Sequence, residues 1–219
     1  MPKFLITGAT GRQGGSAARL LLEKGATVHV LVRDLTSAPS LALQSLGATL
    51  FKGDFDDIPA ITAAMQGVDG VFLNPAPGAE TRVAEIFVAA ARAAGTVTSF
   101  VLSTAFKAEL YDDWSEIKTE WPFLASYYTN KTGAEKAIRA SGFTYTILRP
   151  GWLMHNYIGA ATAYQFPEYP TDRVLAVSYP REYRVGHLDG ADVGKFAAAA
   201  LLDPLRFAGK ELELINESI

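Results

Sequence analysis

Short apolar segments alternate with longer segments of helical period along the first 150 residues of this chain. The apolar segments are near-continuous runs of Val, Ile, Leu and Phe, which is typical of strands that helices cover on both faces. Repeated units of this kind predict an α/β fold with a doubly wound parallel sheet. The chain has 219 residues, 49% of them hydrophobic, so it is long enough to bury such a core within one domain.

The predicted strands and helices follow each other in strict alternation. The strands lie near residues 3 to 7, 27 to 32, 48 to 52, 69 to 73, 98 to 103 and 143 to 148. The helices lie near residues 12 to 24, 38 to 46, 57 to 66, 80 to 94 and 119 to 141. A glycine follows or closes each helix, at Gly25, Gly47, Gly67, Gly95 and Gly142. Glycine is the usual residue at a helix C-terminus, so this punctuation supports the assignment.

The alternation stops after "TILRPGWLMHN". Residues 151 to 185 are rich in Tyr, Pro and Gly without a clear period, and predict a small loop-rich lobe. A helix near 190 to 203, capped by Asp189 or Asp192, and a strand in "KELELIN" then follow. We therefore predict a core over 1–150, a lobe over 151–188, and a return to the core over 189–219, within one structural domain.

Composition excludes several classes of function. The net charge is −3 and the 20 Lys and Arg are scattered, so no basic stripe indicates a nucleic-acid partner. No apolar run approaches the roughly 20 residues of a membrane span, and a strand starting by Phe4 leaves no room for a signal peptide. We expect a cytoplasmic protein without membrane partners. There is no Cys, and the three His are too far apart to predict a metal site.

The segment "LITGATGRQGG", residues 5 to 15, joins the first strand to the first helix. Glycines in such a loop let backbone N–H groups approach phosphate oxygens, and the helix directs its positive end to the same charge. The spacing is G-x-x-G-x-x-G, one residue longer than the G-x-G-x-x-G of many dinucleotide-binding loops. A tight turn whose small residues serve only helix packing is the alternative.

The end of the second strand, "VHVLVRD", favours the phosphate-binding interpretation. A site for NAD places an acidic residue here on the ribose 2′-OH, whereas this chain has Arg33. A guanidinium suits the 2′-phosphate of NADP, and Arg12 in the glycine loop could reach the same group. Two alternatives stay open: both arginines are solvated surface charges, or Asp34 serves an NAD site in a shifted register.

The motifs "ITGATGRQGG", "VLVRD", "KGDFDD" and "YTILRPGWLMHN" resemble the NmrA-like group of atypical short-chain dehydrogenases/reductases, over residues 3 to 215. The resemblance implies a Rossmann fold that binds NADP(H), with Arg33 on the adenine-side ribose phosphate. It further implies that Asp54 and Phe55 border the adenine and that Asn74 and Pro75 lie near the nicotinamide ribose. The backbone around Pro150, Trp152 and Leu153 would contact the carboxamide. The residues implied to contact the phosphates are Gly8, Thr10, Gly11, Arg12, Gln13 and Gly14.

A possible catalytic pair follows the fifth strand, in "SYYTNKTGAEK". Reduction of a carbonyl needs a proton donor, and a tyrosine serves when a nearby ammonium lowers the tyrosine's pKa. Tyr127 and Lys131 stand four residues apart, on one face of a helix. The arrangement resembles the Ser-Tyr-Lys site of short-chain reductases, with Ser103 or Thr104 on the substrate oxygen and Lys131 on the nicotinamide ribose. An aromatic helix face packed under the lobe is the alternative for Tyr127.

A group of aromatic residues, mostly in loop-like sequence, predicts a pocket for a planar or bulky apolar ligand. They are Phe106, Trp114, Trp121, Trp152, Tyr157, Tyr164 and Phe166. Phe106, Trp114 and Tyr157 are our candidate substrate contacts, together with His155, which serves either as a proton donor or as a polar cover over the pocket. A small lobe core is the alternative interpretation of these aromatic side chains.

Three functions fit these features. The leading one is an NADPH-dependent reductase of a carbonyl, quinone, imine or similar apolar electrophile. The second is a regulator that binds NADP(H) and passes its occupancy to a protein partner without chemistry, and the third is a non-redox isomerase or cyclase. NmrA-like chains usually continue past the last strand with helices over the substrate side. Either the pocket is more open than usual here or another subunit closes it, and we expect the second, as in a homodimer.

Overall fold

A seven-stranded parallel sheet forms the centre of the molecule, in the order β3-β2-β1-β4-β5-β6-β9. The computed structural model describes residues 1–113, 119–158, 160–176, 182 and 184–218. The strands are β1 (Lys3–Ile6), β2 (Thr27–Val32), β3 (Thr49–Lys52), β4 (Gly70–Leu73), β5 (Ser99–Ser103), β6 (Thr144–Pro150) and β9 (Lys210–Leu214). All six pairings between neighbours are parallel, which confirms the predicted fold class.

Helices cover both faces of this sheet, as the continuous apolar strands predict. The helices are α1 (Arg12–Glu23), α2 (Ala38–Ser45), α3 (Ile58–Ala64), α4 (Glu80–Ala94), α5 (Pro122–Arg139) and α8 (Gly190–Leu202). One apolar core joins the sheet to α1, α2 and α8 and includes Leu21, Leu43 and Val193. The other joins it to α3, α4 and α5 and includes Ile61, Phe87 and Ile138.

The ends of the helices follow the local sequence signals. The five glycines predicted to close helices all adopt positive φ, from 67° at Gly67 to 100° at Gly47. The side chains of Asp57 and Asp189 accept backbone N–H groups at the starts of α3 and α8. Asp189 rather than Asp192 is therefore the cap of α8. None of the helices in the described part of the chain is long and apolar enough to cross a membrane.

The lobe contains more regular structure than the sequence indicates. It holds two short helices, α6 (Ala160–Gln165) and α7 (Tyr169–Asp172), and the strands β7 (Trp152–Leu153) and β8 (Gly186–Leu188). With β10 (Glu217–Ser218), β7 and β8 form a second sheet in the order β10-β8-β7. Strands of two or three residues are too short to show a period in sequence, which is why this sheet was not predicted.

Candidate functional site

A cleft of about 1210 Å³ opens at the carboxyl ends of the parallel strands. The strand order places β1 beside β4, so the chain leaves the sheet in opposite directions on the two sides of this point. Ligands of open α/β sheets bind at such a reversal, because the loops that follow the two strands part there. The cleft is lined by residues from the ends of six strands, β1 to β6, and from α5, and most of the predicted site residues are among them.

The glycine loop forms the floor of one end of the cleft, where Gly8, Thr10, Gly11 and Gln13 line it. Gly8 has φ of +60°, and Gly11 N–H donates to the Gly8 carbonyl at 2.9 Å. Gly14 lies beneath the loop: a Cβ there would be 2.5 Å from the carbonyl oxygens of both Thr7 and Gly8. Gly8 and Gly11 add no Cβ atoms to the lining of the cleft, so a phosphate group can approach the backbone there.

The far end of the cleft follows β2 and β3. Arg33, Asp54 and Phe55 line it. The neighbouring Asp34 is not part of this lining, and its carboxylate accepts hydrogen bonds from the backbone N–H and the hydroxyl of Thr36, at 2.8 and 2.7 Å. Of the two charged residues after β2, the positively charged Arg33 lines the cleft and the negatively charged Asp34 does not.

Asn74 and Pro75 line the middle of the cleft, in the loop that follows β4. The hydroxyl of Thr7 connects this loop to the end of β1, because it accepts Asn74 N–H at 2.8 Å and donates to the Phe72 carbonyl at 3.1 Å. The two loops on either side of the strand reversal are thus held together by one buried side chain.

Tyr127 and Lys131 both line the cleft from the same face of α5. The Lys131 Nζ lies 5.3 Å from the centroid of the Tyr127 ring. The same Nζ is 2.9 Å from Glu80 Oε1, a carboxylate that sequence reasoning did not select. The next tyrosine, Tyr128, is committed elsewhere, since its hydroxyl donates to the Phe106 carbonyl at 3.4 Å. Burial, together with Glu213 and Glu109, raises the pKa of Tyr128.

The two hydroxyls at the end of β5 are engaged with protein groups. Ser103 is buried outside the described lining of the cleft, and its Oγ donates to Gln13 Oε1 at 2.9 Å. Thr104 lines the cleft, but its Oγ1 donates to Glu135 Oε1 at 2.7 Å. Ser103 is therefore not part of the described lining to which Tyr127 belongs, and its hydroxyl contacts Gln13 of the glycine loop instead.

The remaining wall of the cleft is largely apolar. It is formed by Phe106, Phe123, Leu124, Tyr128, Trp152 and Leu153, with Pro150 and Gly151 behind them. Phe123 is 70% exposed, so the wall continues to the mouth of the cleft. Aromatic and aliphatic side chains arranged in this way offer planar surfaces to an apolar ligand.

Besides Gly14 and Ser103, three predicted residues are absent from the described lining of the cleft, and a fourth lies outside the described residues. Arg12 lines a separate shallow depression against the start of α8. The His155 ring packs over Gly190 in the same region, and burial, reinforced by Arg12, lowers the pKa of His155. The Tyr157 ring stacks on Phe166 inside the lobe. Trp114 is the fourth.

The position of Tyr157 corrects its prediction as a substrate contact. Its ring lies in an aromatic cluster with Trp152, Phe166 and His187. His187 Nδ1 donates to the Val185 carbonyl at 2.7 Å, so Nε2 is the acceptor of the Tyr157 hydroxyl at 2.8 Å. The alternative interpretation, a small lobe core, applies to Tyr157 because the lobe folds its aromatic side chains against each other.

Fold, glycine loop and cleft together define a dinucleotide-binding protein of the Rossmann type. The NmrA-like family model matches residues 2–219, and the chain belongs to this family. The predicted resemblance is thereby confirmed over nearly the whole chain.

Similar proteins include enzymes and a regulator. The chain is 29% identical to quinone oxidoreductase 2 of Escherichia coli over 217 residues, 97% of this chain and 68% of that enzyme. The structure of an NADPH-dependent quinone oxidoreductase from Escherichia coli, complexed with NADPH, matches 98% of this chain and 70% of its own with a TM-score of 0.73 and 25% identity. NmrA, a negative transcriptional regulator solved with NADP, matches with a TM-score of 0.80 and 23% identity, over 100% of this chain and 68% of its own. The chain thus spans about two thirds of the length of these proteins.

Proposed function

We propose that this protein is an NADPH-dependent reductase of planar, apolar electrophiles such as quinones, imines or aromatic carbonyl compounds. The observation that carries the proposal is the meeting of Tyr127 and Lys131 in one cleft with the glycine loop and an aromatic wall. The oxidoreductases among its relatives support the same reaction class.

The residues of the cleft fit a dinucleotide phosphate. Gly8 and Gly11 present backbone without a Cβ to the cleft, and Arg33 is a cation at the end where the adenine-side ribose of a Rossmann ligand would lie. Asp54 and Phe55 would border the adenine, and Asn74 and Pro75 the middle of the ligand. Pro150, Trp152 and Leu153 would contact the nicotinamide end.

Each residue then has a defined task. NADPH, when bound, supplies a hydride. Tyr127 donates a proton to the oxygen or nitrogen of the electrophile as negative charge develops there. Lys131 provides the neighbouring positive charge and holds a ribose hydroxyl. The apolar side chains of Phe106, Trp152 and Leu153 exclude water from the reacting groups.

A turnover assay tests this function. NADPH oxidation is followed optically with a panel of quinones, azo compounds and aromatic aldehydes. We expect Tyr127→Phe to lower kcat by about a hundredfold or more, the usual contribution of a general acid. Tyr145→Phe removes a hydroxyl from a tyrosine of β6 that does not line the cleft, and should leave kcat unchanged. Tight NADPH binding without turnover of any acceptor would instead favour a regulator.

A further inference from the structure

Glu80 is a buried carboxylate next to the proposed catalytic pair. It is the first residue of α4 and follows the loop of Asn74, Pro75 and Ala79, which lines the cleft. The Glu80 side chain is 0% exposed, and a buried glutamate normally needs a partner within the protein. Its Oε2 accepts Gly78 N–H at 2.7 Å, and its Oε1 lies 2.9 Å from Lys131 Nζ. Glu80 thus connects the loop after β4 to the lysine of α5.

Stability alone is a weak reason for this ion pair. The Lys131 side chain is 7% exposed, so both charges are removed from water. The cost of desolvating two charges commonly equals or exceeds their attraction, and apolar residues often replace such pairs without loss of stability. A second contact already joins the two helices at this point: Thr81 Oγ1 donates to the Asn130 carbonyl at 3.0 Å.

The geometry leaves part of the Lys131 ammonium available to a ligand. An ammonium carries three N–H donors, and Lys131 lines the cleft, whereas Glu80 is not among the described residues that line it. Nζ lies 5.3 Å from the Tyr127 ring centroid, beside the other proposed catalytic group in the cleft lining.

We propose that Glu80 is a positioning residue, whose carboxylate fixes the Lys131 ammonium for contact with the nicotinamide-side ribose of the bound dinucleotide. The proposal rests on the proposed function for the identity of the ligand. Glu80 acts through Lys131 and touches neither ligand nor substrate.

Binding of two ligands of different length can distinguish a positioning role of Glu80 from a general structural role. NADPH is long enough to contact both Arg33 and Lys131 under this proposal, whereas adenosine 2′,5′-bisphosphate carries only the adenine-side half, which would contact Arg33 but not Lys131. Glu80→Gln keeps the size of the side chain and an oxygen for Gly78 N–H, and the contact between Thr81 and Asn130 keeps the helices together. Glu85→Gln is the matched control, because Glu85 is an exposed residue of the same helix.

Calorimetric titration gives the dissociation constants. We expect Glu80→Gln to weaken NADPH binding by on the order of tenfold, as for the loss of one charge-assisted hydrogen bond, and to leave the bisphosphate affinity within about twofold. Glu85→Gln should change neither affinity. In a Lys131→Met background, adding Glu80→Gln should weaken NADPH binding no further, because the group that it positions is gone.

Two results would overturn the proposal: unchanged NADPH affinity in Glu80→Gln, or equal weakening of NADPH and the bisphosphate, which indicates a structural role. Failure of the proposed reductase function has a different signature. The wild-type protein would then bind NADPH and turn over no acceptor, and the comparison of the two ligands would still decide the role of Glu80.

Discussion

Arg33 and Asp34 are neighbours of opposite charge, and only Arg33 lines the end of the cleft. They are adjacent at the end of β2, and the sequence leaves both as candidates for the adenine-side ribose. Arg33 lines the cleft, while the Asp34 carboxylate is held by Thr36. Neighbouring side chains at the end of a strand point in different directions, so only one of the two faces the ligand.

We predict that Arg33→Ala changes the preference of the protein for NADPH over NADH. Loss of the guanidinium should raise the NADPH dissociation constant by about tenfold or more, and should leave that of NADH nearly unchanged, because NADH lacks the 2′-phosphate. Arg12→Ala is the comparison variant: Arg12 lies outside the cleft, so its removal should preserve the preference. An equal loss in both variants would show that Arg12 reaches the phosphate.

At the scale of elements, α8 supports the glycine loop from behind. Its Gly194 packs so closely on the start of α1 that a Cβ would lie 2.5 Å from the Gln13 carbonyl oxygen and 2.7 Å from the Ala17 nitrogen. Ser16 Oγ also donates to the Ala191 carbonyl at 2.8 Å. A helix near the end of the chain therefore fixes a loop near its beginning.

This contact predicts the sign of a stability change. Alanine in place of glycine inside an uncrowded helix stabilises by about 1 kcal/mol. For Gly194→Ala we expect the opposite, a loss of about 1–3 kcal/mol, because the added methyl group must push α8 away from α1. Urea unfolding of the variant and the wild type measures the difference. A stabilised variant would mean that the two helices separate without cost.

At the scale of the whole molecule, one charged network joins β6, β9 and α5. Arg149 Nη2 lies 2.7 Å from Glu135 and 2.6 Å from Glu211, and Arg149 Nη1 lies 3.0 Å from Glu109. Burial, reinforced by Glu109, raises the pKa of Glu213 at the edge of this network to about 7. The folded protein thus keeps a proton on Glu213 that the unfolded chain releases at lower pH.

The raised pKa of Glu213 predicts a pH-dependent stability. Between the ordinary pKa of 4.5 and about 7 the unfolded state binds fewer protons at this site, so the folded state loses stability as pH rises through this range. Glu213→Gln carries no such titration, and its melting temperature relative to the wild type should therefore increase from about pH 5 to about pH 8. The pKa of Glu109 is lowered, so Glu109 adds stability to the folded state as pH rises, but only below its ordinary pKa of 4.5. A constant difference between the two proteins would contradict the assignment.

Local signals explain why so much of the fold could be predicted. The glycines after the helices adopt positive φ, and the aspartates before α3 and α8 cap them, because these preferences depend on a few neighbouring residues. The small sheet of the lobe could not be predicted, since β7 pairs with β8 more than thirty residues away along the chain and each strand has at most three residues.

Some residues of the site could likewise be predicted from local sequence, and others could not. The glycine loop, Arg33 and the pair of Tyr127 and Lys131 are recognisable because each depends on spacing within one loop, strand end or helix turn. The positions of Ser103, His155 and Tyr157 depend on which way a side chain turns once other elements pack around it. Glu80 gives no sequence signal at all, because its partner lies on another helix.

Periodicity and turn chemistry are local properties of the chain, so they predict the order of the elements, the doubly wound sheet and the loop that suits a phosphate, while the motifs carry the resemblance to the family. Tertiary packing, in contrast, selects the charges that face the cleft and those that are held behind it. This packing rests on close contacts between distant segments, such as Glu80 with Lys131 and Gly194 with Gln13. Burial makes such contacts specific, since a buried charge or carbonyl must find its partner within the protein rather than in water.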